Sequence, residues 1–326
     1  MAGNLVEVHA VKKWYPVQTG FVENLLTRKR DYIHAVDGID FDVKEGEVFG
    51  LAGESGSGKT TTGRLILSLA KPTEGRILFE GVDIASVKPG EMRNLRQRMQ
   101  MIFQDPTASL NPRMKTGDGI GHSLEIHGLA KGEEKKQRVI SMMERVGLTP
   151  ASVLYEKYVH QLSGGQRQRV VIARALIMRP SLIIADEPIA MADVSVRVLL
   201  LDLMMELKEE FDLTYVFITH DLATAKYVCN RIAIMYLGKI VELGTLRQVY
   251  TNPSHPYTQA LLAAVPVPDP KARRTYPIPK GEIPDPIAPP PGCRFHPRCP
   301  QATDVCSVEE PELVAIEEGH LVACHL

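Results

Sequence analysis

The stretch GESGSGKT, Gly53 to Thr60, sets glycine, lysine and threonine at spacings that suit one chemistry, the holding of phosphate. Gly53, Gly56 and Gly58 let the chain curl, so that backbone N–H groups of the run Glu54, Ser55 and Ser57 turn toward phosphate oxygens. Lys59 is placed to reach β- and γ-phosphates and Thr60 to offer a hydroxyl to Mg²⁺, while Thr61 lies in the first turn of a helix whose N-terminus favours an anion. A glycine-rich turn made only for folding does not call for Lys-Thr in that register. Further along, LIIADEP supplies Asp186 to orient Mg²⁺ through its water shell and Glu187 to polarise an attacking water. YVFITHD then ends a third strand-like run with His220, at the carboxyl edge where nucleotides bind parallel sheets.

The elements that must carry these residues are legible in outline. Short β-rich apolar runs (VFGLAG, SLIIAD, YVFITH, RIAIMYLGKIVELG) alternate with helical stretches over residues 1–265, the pattern of an α/β domain with a mainly parallel sheet. Residues of about 95–165 show no strong strand, and Val139, Met142, Met143 and Val146 recur at helical spacing, so an inserted helical subdomain with those methionines in its core is expected. Residues 266–291 are rich in proline and read as an extended connector; residues 292–326 form a separate cysteine-bearing segment.

Composition narrows the class. The 326 residues are 44% hydrophobic and 24% charged, and 38 basic against 39 acidic residues leave a net charge of −1. That balance gives no global field for nucleic acid or acidic lipid. The N-terminal MAGNLVEVHAVKKWY lacks the pattern of a signal peptide and no apolar run is long enough to span a bilayer, so a cytoplasmic chain is expected. There, clustered cysteines are better ligands than disulfides. Four of the five, Cys293, Cys299, Cys306 and Cys324, stand as C-x5-C-x6-C-x17-C, and four thiolates suit an iron–sulfur cluster or Zn²⁺ equally by softness. Cys229 reads as a small buried residue.

The stretch HQLSGGQRQRVVIARAL, His160 to Leu176, resembles the signature of the ATP-binding cassette ATPases. The resemblance runs over residues 5 to about 260 and implies a P-loop NTPase fold of cassette type, with a mainly parallel sheet core, an antiparallel β subdomain and the inserted helical subdomain. It also implies roles: Gln104 of FQDP as the glutamine that senses Mg²⁺, Asp193 as the D-loop aspartate, His220 on the γ-phosphate, and an adenine-stacking ring at Tyr15 with Trp14 as the neighbouring choice. Ser163, Gly164, Gly165 and Gln166 open a helix and form a second anion site. In the family this site closes over ATP held by a second cassette, head to tail, so that ATP glues the pair. One stretch departs from the family pattern: Ile189, Ala190, Met191 and Ala192 precede Asp193 where hydroxyl-bearing residues are usual.

SLNPRM, DVSVR, NPSHPYTQALLAAVP and PPPGCRFHPRCP are similar to the oligopeptide/dipeptide importer ATPases, in particular the F-type subunit. That branch implies ATP hydrolysis coupled to import of peptides or related solutes such as oligosaccharides or nickel. It further implies a different second cassette, two membrane permeases, an extracellular solute-binding protein and a peripheral place on the cytoplasmic face of the membrane. It implies a 4Fe-4S cluster on the four C-terminal cysteines, with Zn²⁺ as the alternative. A soluble cassette ATPase of DNA repair or translation is the competing reading; the coiled coil, mismatch-binding domain or second cassette it calls for is not seen.

Overall fold

The computed structural model describes residues 3–17, 31–265, 279 and 281–326; residues 266–278 and 280 of the expected connector lie outside the described residues. In chain order the strands are β1 (Asn4–Pro16), β2 (Tyr32–Lys44), β3 (Val48–Ala52), β4 (Glu74–Phe79), β5 (Val82–Asp83) and β6 (Met99–Ile102). There follow β7 (Leu182–Asp186), β8 (Thr214–Thr219), β9 (Arg231–Tyr236), β10 (Lys239–Thr245), β11 (Val314–Glu317) and β12 (His320–Val322). The chain divides into two compact units, one of Met1–Val87 with Ile218–Leu326 and one of Lys88–Phe217, with the boundary inside β8.

In the first unit an antiparallel sheet runs β2-β1-β4-β5. A second sheet pairs β3 with β9 in parallel, and β10, β12 and β11 extend it antiparallel. All five residues of β3 are buried, which explains why VFGLA reads as an unbroken apolar run. The run RIAIMYLGKIVELG is two strands rather than one. Leu237 and Gly238 turn the chain with φ of 42° and 80°, a pair of positive values that matches the twist of a tight hairpin.

The second unit packs the helices Thr116–Ile126, Gly132–Arg145, Ala151–Tyr155 and Gly164–Leu176 around Ile120, Leu124, Val139, Met143, Val146, Val170 and Val171, all buried. Gly117 allows one close approach, since a Cβ there would stand 2.1 Å from the Tyr155 ring. Met142 and Met143 are in the core, as helical spacing implies. The stretch expected to hold no strong strand does hold a short one: Met99–Ile102 forms β6, parallel to β7. Four residues with a glutamine among methionines carry little β-propensity, and pairing with a fully buried neighbour decides their conformation. Among the described residues no helix is long and apolar enough to cross a membrane.

Candidate functional site

The phosphate loop joins β3 to the helix Lys59–Ile66 in the first unit. Its glycines are required by geometry at two places. Gly53 has φ of 150° and a Cβ there would meet the Met235 carbonyl at 2.2 Å; Gly58, at φ of 107°, would meet the Ala35 carbonyl at 2.3 Å. Inside the loop Lys59 is buried, and its ammonium donates to the carbonyls of Gly53 (2.7 Å) and Glu54 (2.9 Å) and to Ser57 Oγ (3.3 Å). The lysine thus lies inside the curl of backbone that the motif demands. Thr60 and Thr61 follow in the first turn of the helix.

The nearby aromatic residues differ in their engagements. Trp14 donates its indole N–H to Asp37 (3.0 Å) and its ring meets that of His34 at 4.6 Å. Tyr15 is half-buried and carries the Lys13 ammonium 4.9 Å from its ring centre. His220 is exposed directly after β8, where Asp221 shapes the turn: its carboxylate caps the helix Leu222–Val228 by accepting from Ala223 N (2.9 Å) and from the Thr224 hydroxyl (2.6 Å).

In the second unit β7 delivers Asp186, buried, and then Glu187, whose φ of 46° turns its side chain off the strand line. Gln104 Nε2 donates to Glu187 Oε2 across 2.9 Å, so the two polar residues following β6 and β7 are brought together. Ser163 and Gln166 form a reciprocal cap on the helix Gly164–Leu176, with Gln166 N to Ser163 Oγ at 3.2 Å and Ser163 N to Gln166 Oε1 at 3.0 Å. A Cβ added at Gly164 would meet open space and one at Gly165 would meet only a Val196 methyl, at 3.5 Å, so these two positions add no side chain to the helix N-terminus. Asp193 starts the helix Val194–Phe211, with the backbone N–H groups of Val196 and Arg197 on its carbonyl.

Two residues that motif reading passed over brace this edge. Gln168 is buried on the signature helix and donates to the Pro188 carbonyl, and Arg197 donates to the Ala192 carbonyl (3.0 Å). A cavity of about 250 Å³ lies among Asp105, Thr107, Gly164, Arg167, Met191 and Ala192.

The cysteine segment also belongs to the first unit. All five cysteines are free; Cys306 and Cys229 are buried, and Cys293, Cys299 and Cys324 half-buried. Burial pushes the Cys293 thiol up to about 11, with Cys324, Cys306 and Cys299 adding to the rise. Cys299 and Cys324 are raised too, again mainly by burial. Among the described residues, however, no three His, Cys, Asp or Glu side chains stand close enough to hold a metal ion. Cys229 caps the end of a helix, its thiol pushed up to about 12 by burial, as expected of a packing residue.

The segment is tied to the loop and to β2 by residues that belong to no motif. Arg298 forks the Glu54 carboxylate at 2.7 and 3.2 Å, which raises the guanidinium above its usual value, and Arg294 pairs with Asp37. The Tyr257 hydroxyl accepts from Glu54 N at 2.9 Å.

Comparison with known proteins matches residues 36–190 to the ABC transporter family and residues 241–306 to the oligopeptide/dipeptide transporter C-terminal region. The chain is 46% identical to the oligopeptide transport ATP-binding protein AppF of Bacillus subtilis, over 99% of this chain and 97% of that protein. It is 42% identical to the dipeptide transport ATP-binding protein DppF of Haemophilus influenzae, over 98% and 96%. A dimeric post-hydrolysis state of the ATP-binding cassette MJ0796, bound to ADP and Pi, superposes with a TM-score of 0.64 at 30% identity, covering 74% of this chain and 99% of that one. Fold and phosphate loop together define an ATPase of the cassette class. Within that class the chain belongs to the ABC transporter family, in the oligopeptide/dipeptide branch that carries the distinctive C-terminal region.

Proposed function

We propose that the chain is the ATP-hydrolysing subunit of a peptide importer of the oligopeptide/dipeptide type, seated peripherally on the cytoplasmic face of the membrane. The observation that carries this reading is the extent of the likeness to AppF and DppF, which continues beyond the cassette through the C-terminal region. No comparable support attaches to DNA repair or translation, and nucleic acid is not among the proposed partners.

In this reading the backbone of Gly53–Gly58 cradles the phosphates of ATP, with Lys59 on the β- and γ-phosphates and Tyr15 against the adenine. Trp14, committed to Asp37 and His34, is the poorer choice for that stack. Thr60, Gln104 and Asp186 offer oxygen ligands, directly or through water, to Mg²⁺, which supplies charge neutralisation when bound. Glu187 takes the water's proton or polarises it, and His220 contacts the γ-phosphate. Ser163, Gly164, Gly165 and Gln166 present a capped helix N-terminus to the ATP of a second, different cassette packed head to tail, with Asp193 between the sites. Binding draws the two cassettes together and hydrolysis releases them. Two permeases convert that cycle into import, and an extracellular binding protein delivers the peptide to them.

The chain is proposed to divide into a cassette to about residue 265, its helical part near 95–165, a connector over 266–291 and the cysteine segment from 292. Cys293, Cys299, Cys306 and Cys324 would hold a 4Fe-4S cluster, with Zn²⁺ as the alternative. Four undisulfided thiols suit either by softness, and a metal would staple a segment with little core of its own. Peptide uptake tests the functional reading. In cells lacking the gene, the wild-type chain should restore uptake of labelled di- and oligopeptides and Glu187→Gln should not. Restored uptake by both would refute hydrolysis at this site as the driving step.

A further inference from the structure

Arg298 lies between Cys293 and Cys299, 244 residues beyond the phosphate loop, yet its guanidinium forks the carboxylate of Glu54 inside that loop at 2.7 and 3.2 Å. Every polar group of Glu54 is engaged. Its N–H donates to the Tyr257 hydroxyl (2.9 Å), its carbonyl accepts from Lys59 Nζ (2.9 Å), and its carboxylate takes Arg298. Two of these three restraints come from the C-terminal part of the chain.

The guanidinium is itself preset. It lies 5.8 Å from the Tyr236 ring centre and 5.9 Å from that of Phe295, and its Nη1 also reaches Tyr236 Oη at 3.4 Å. Tyr236, Tyr257 and Phe295 form a closed aromatic cluster, with centroids 4.7 to 5.3 Å apart and all three rings buried. A side chain held in this way loses little further rotamer freedom on pairing, and a bidentate fork fixes direction as well as charge.

Two effects on the loop follow. A residue restrained at three points keeps the neighbouring amides in one arrangement, so less ordering is left for a phosphate ligand to impose. A carboxylate in the loop repels the polyanion that the amides attract, and a paired guanidinium offsets that charge.

Granting the reading that Gly53–Thr61 binds MgATP, we infer that Arg298 is a positioning residue of the nucleotide site, which fixes and neutralises Glu54. The C-terminal segment is thereby part of the machinery that binds ATP, whatever metal its cysteines hold.

The test is MgATP titration of the full chain by calorimetry at low salt and at about 0.5 M salt, where the Debye length shrinks to a few ångströms. Wild type, Lys59→Ala, Arg298→Ala, Arg298→Lys, Glu54→Gln and the double variant Arg298→Ala/Glu54→Gln are compared, each with its denaturation midpoint. Arg298→Ala should bind about tenfold more weakly, the size of a typical coupled charge pair. The ratio to wild type should narrow at high salt, and the double variant should fall well short of the product of the two single losses. Wild-type affinity in Arg298→Ala, or a loss indifferent to salt and multiplicative with Glu54→Gln, would overturn the inference. Should Arg298→Ala not fold, Arg298→Lys carries the test: it keeps the charge but not the fork, so a weakening of about threefold is expected and unchanged affinity counts against it. A wild-type chain that takes no MgATP, or binds no better than Lys59→Ala, would instead refute the nucleotide-site reading itself.

Discussion

Gln104 Nε2 donates to Glu187 Oε2 across 2.9 Å, and the pairing of β6 with β7 explains how. Met101 is aligned with Ile184 and Ile102 with Ala185 in parallel register, so the residues that follow both strands emerge at the same edge. Glu187 sits at φ of 46°, a conformation costing about 1–2 kcal/mol for a residue with a Cβ, and its surroundings must hold it there. Ala190 N donates to the Glu187 carbonyl at 3.1 Å, and buried Gln168 grips the carbonyl of Pro188.

Exchanging Glu187 for Gln keeps the shape and an oxygen acceptor for Gln104 but removes the base. Turnover of MgATP should fall by about 10²–10⁴ while the nucleotide remains bound. Phosphate release and filter retention of labelled ATP measure the two; turnover unchanged from wild type would remove Glu187 from its proposed role.

Met191 stands 65% exposed in the loop between Glu187 and Asp193, lining the cavity that also touches Gly164 and Asp105. Among the described residues nothing covers most of this side chain. Met191→Asp should therefore leave the denaturation midpoint nearly unchanged, within about 0.5 kcal/mol. In the Glu187→Gln background it should abolish ATP-dependent pairing with a second cassette, read by light scattering.

His255 caps the helix Pro256–Ala264 through its Nδ1, which accepts from Tyr257 N at 3.0 Å, and burial lowers its pKa to about 3 from 6.5. Between those two values the unfolded chain binds the proton and the folded chain does not. Stability is therefore intact above pH 6.5 and falls as the pH drops toward 3, by about 1.4 kcal/mol per pH unit from this group. His255→Asn retains a capping oxygen without the titration. Its denaturation free energy should decline less steeply between pH 6.5 and 5 than that of the wild type.

Phe295 anchors the cysteine segment, with its ring against Tyr236 and Tyr257 and only 1% exposed. Truncation to Ala should cost about 3–5 kcal/mol in chemical denaturation. Protease cleavage near residues 292–326 should rise in parallel.

Anaerobically purified protein should contain iron and acid-labile sulfide in the proportion of a four-iron cluster, and Cys306→Ser should lose both. One zinc per chain would assign the alternative. Neither metal in the wild-type protein would dismiss the cysteine proposal.

The residues that bind by backbone shape were the most legible. Gly53 and Gly58 are spaced for positive φ and have it, the Ser163–Gln166 cap is written in S-G-G-Q, and the strands VFGLA and LIIAD are buried on both faces. What sequence spacing does not encode is long-range contact. Arg298 reads as one basic residue among cysteines until folding brings it to Glu54, and Tyr257 as one aromatic in a helix until its hydroxyl meets the loop. β6 is not legible in the sequence because MQMI is decided by its neighbour rather than by its own propensities. The cysteine spacing, by contrast, is visible in the sequence, and folding buries or half-buries those thiols without setting three of them at ligand spacing among the described residues.

The most direct measurement of the central claim is an anaerobic detergent pull-down from native membranes, with this subunit tagged at its N-terminus. Co-purification of two multi-spanning permeases and a second, different cassette is the expected result for the energising subunit of an importer. Recovery of ribosomes or DNA-repair factors, with no membrane protein, would contradict it.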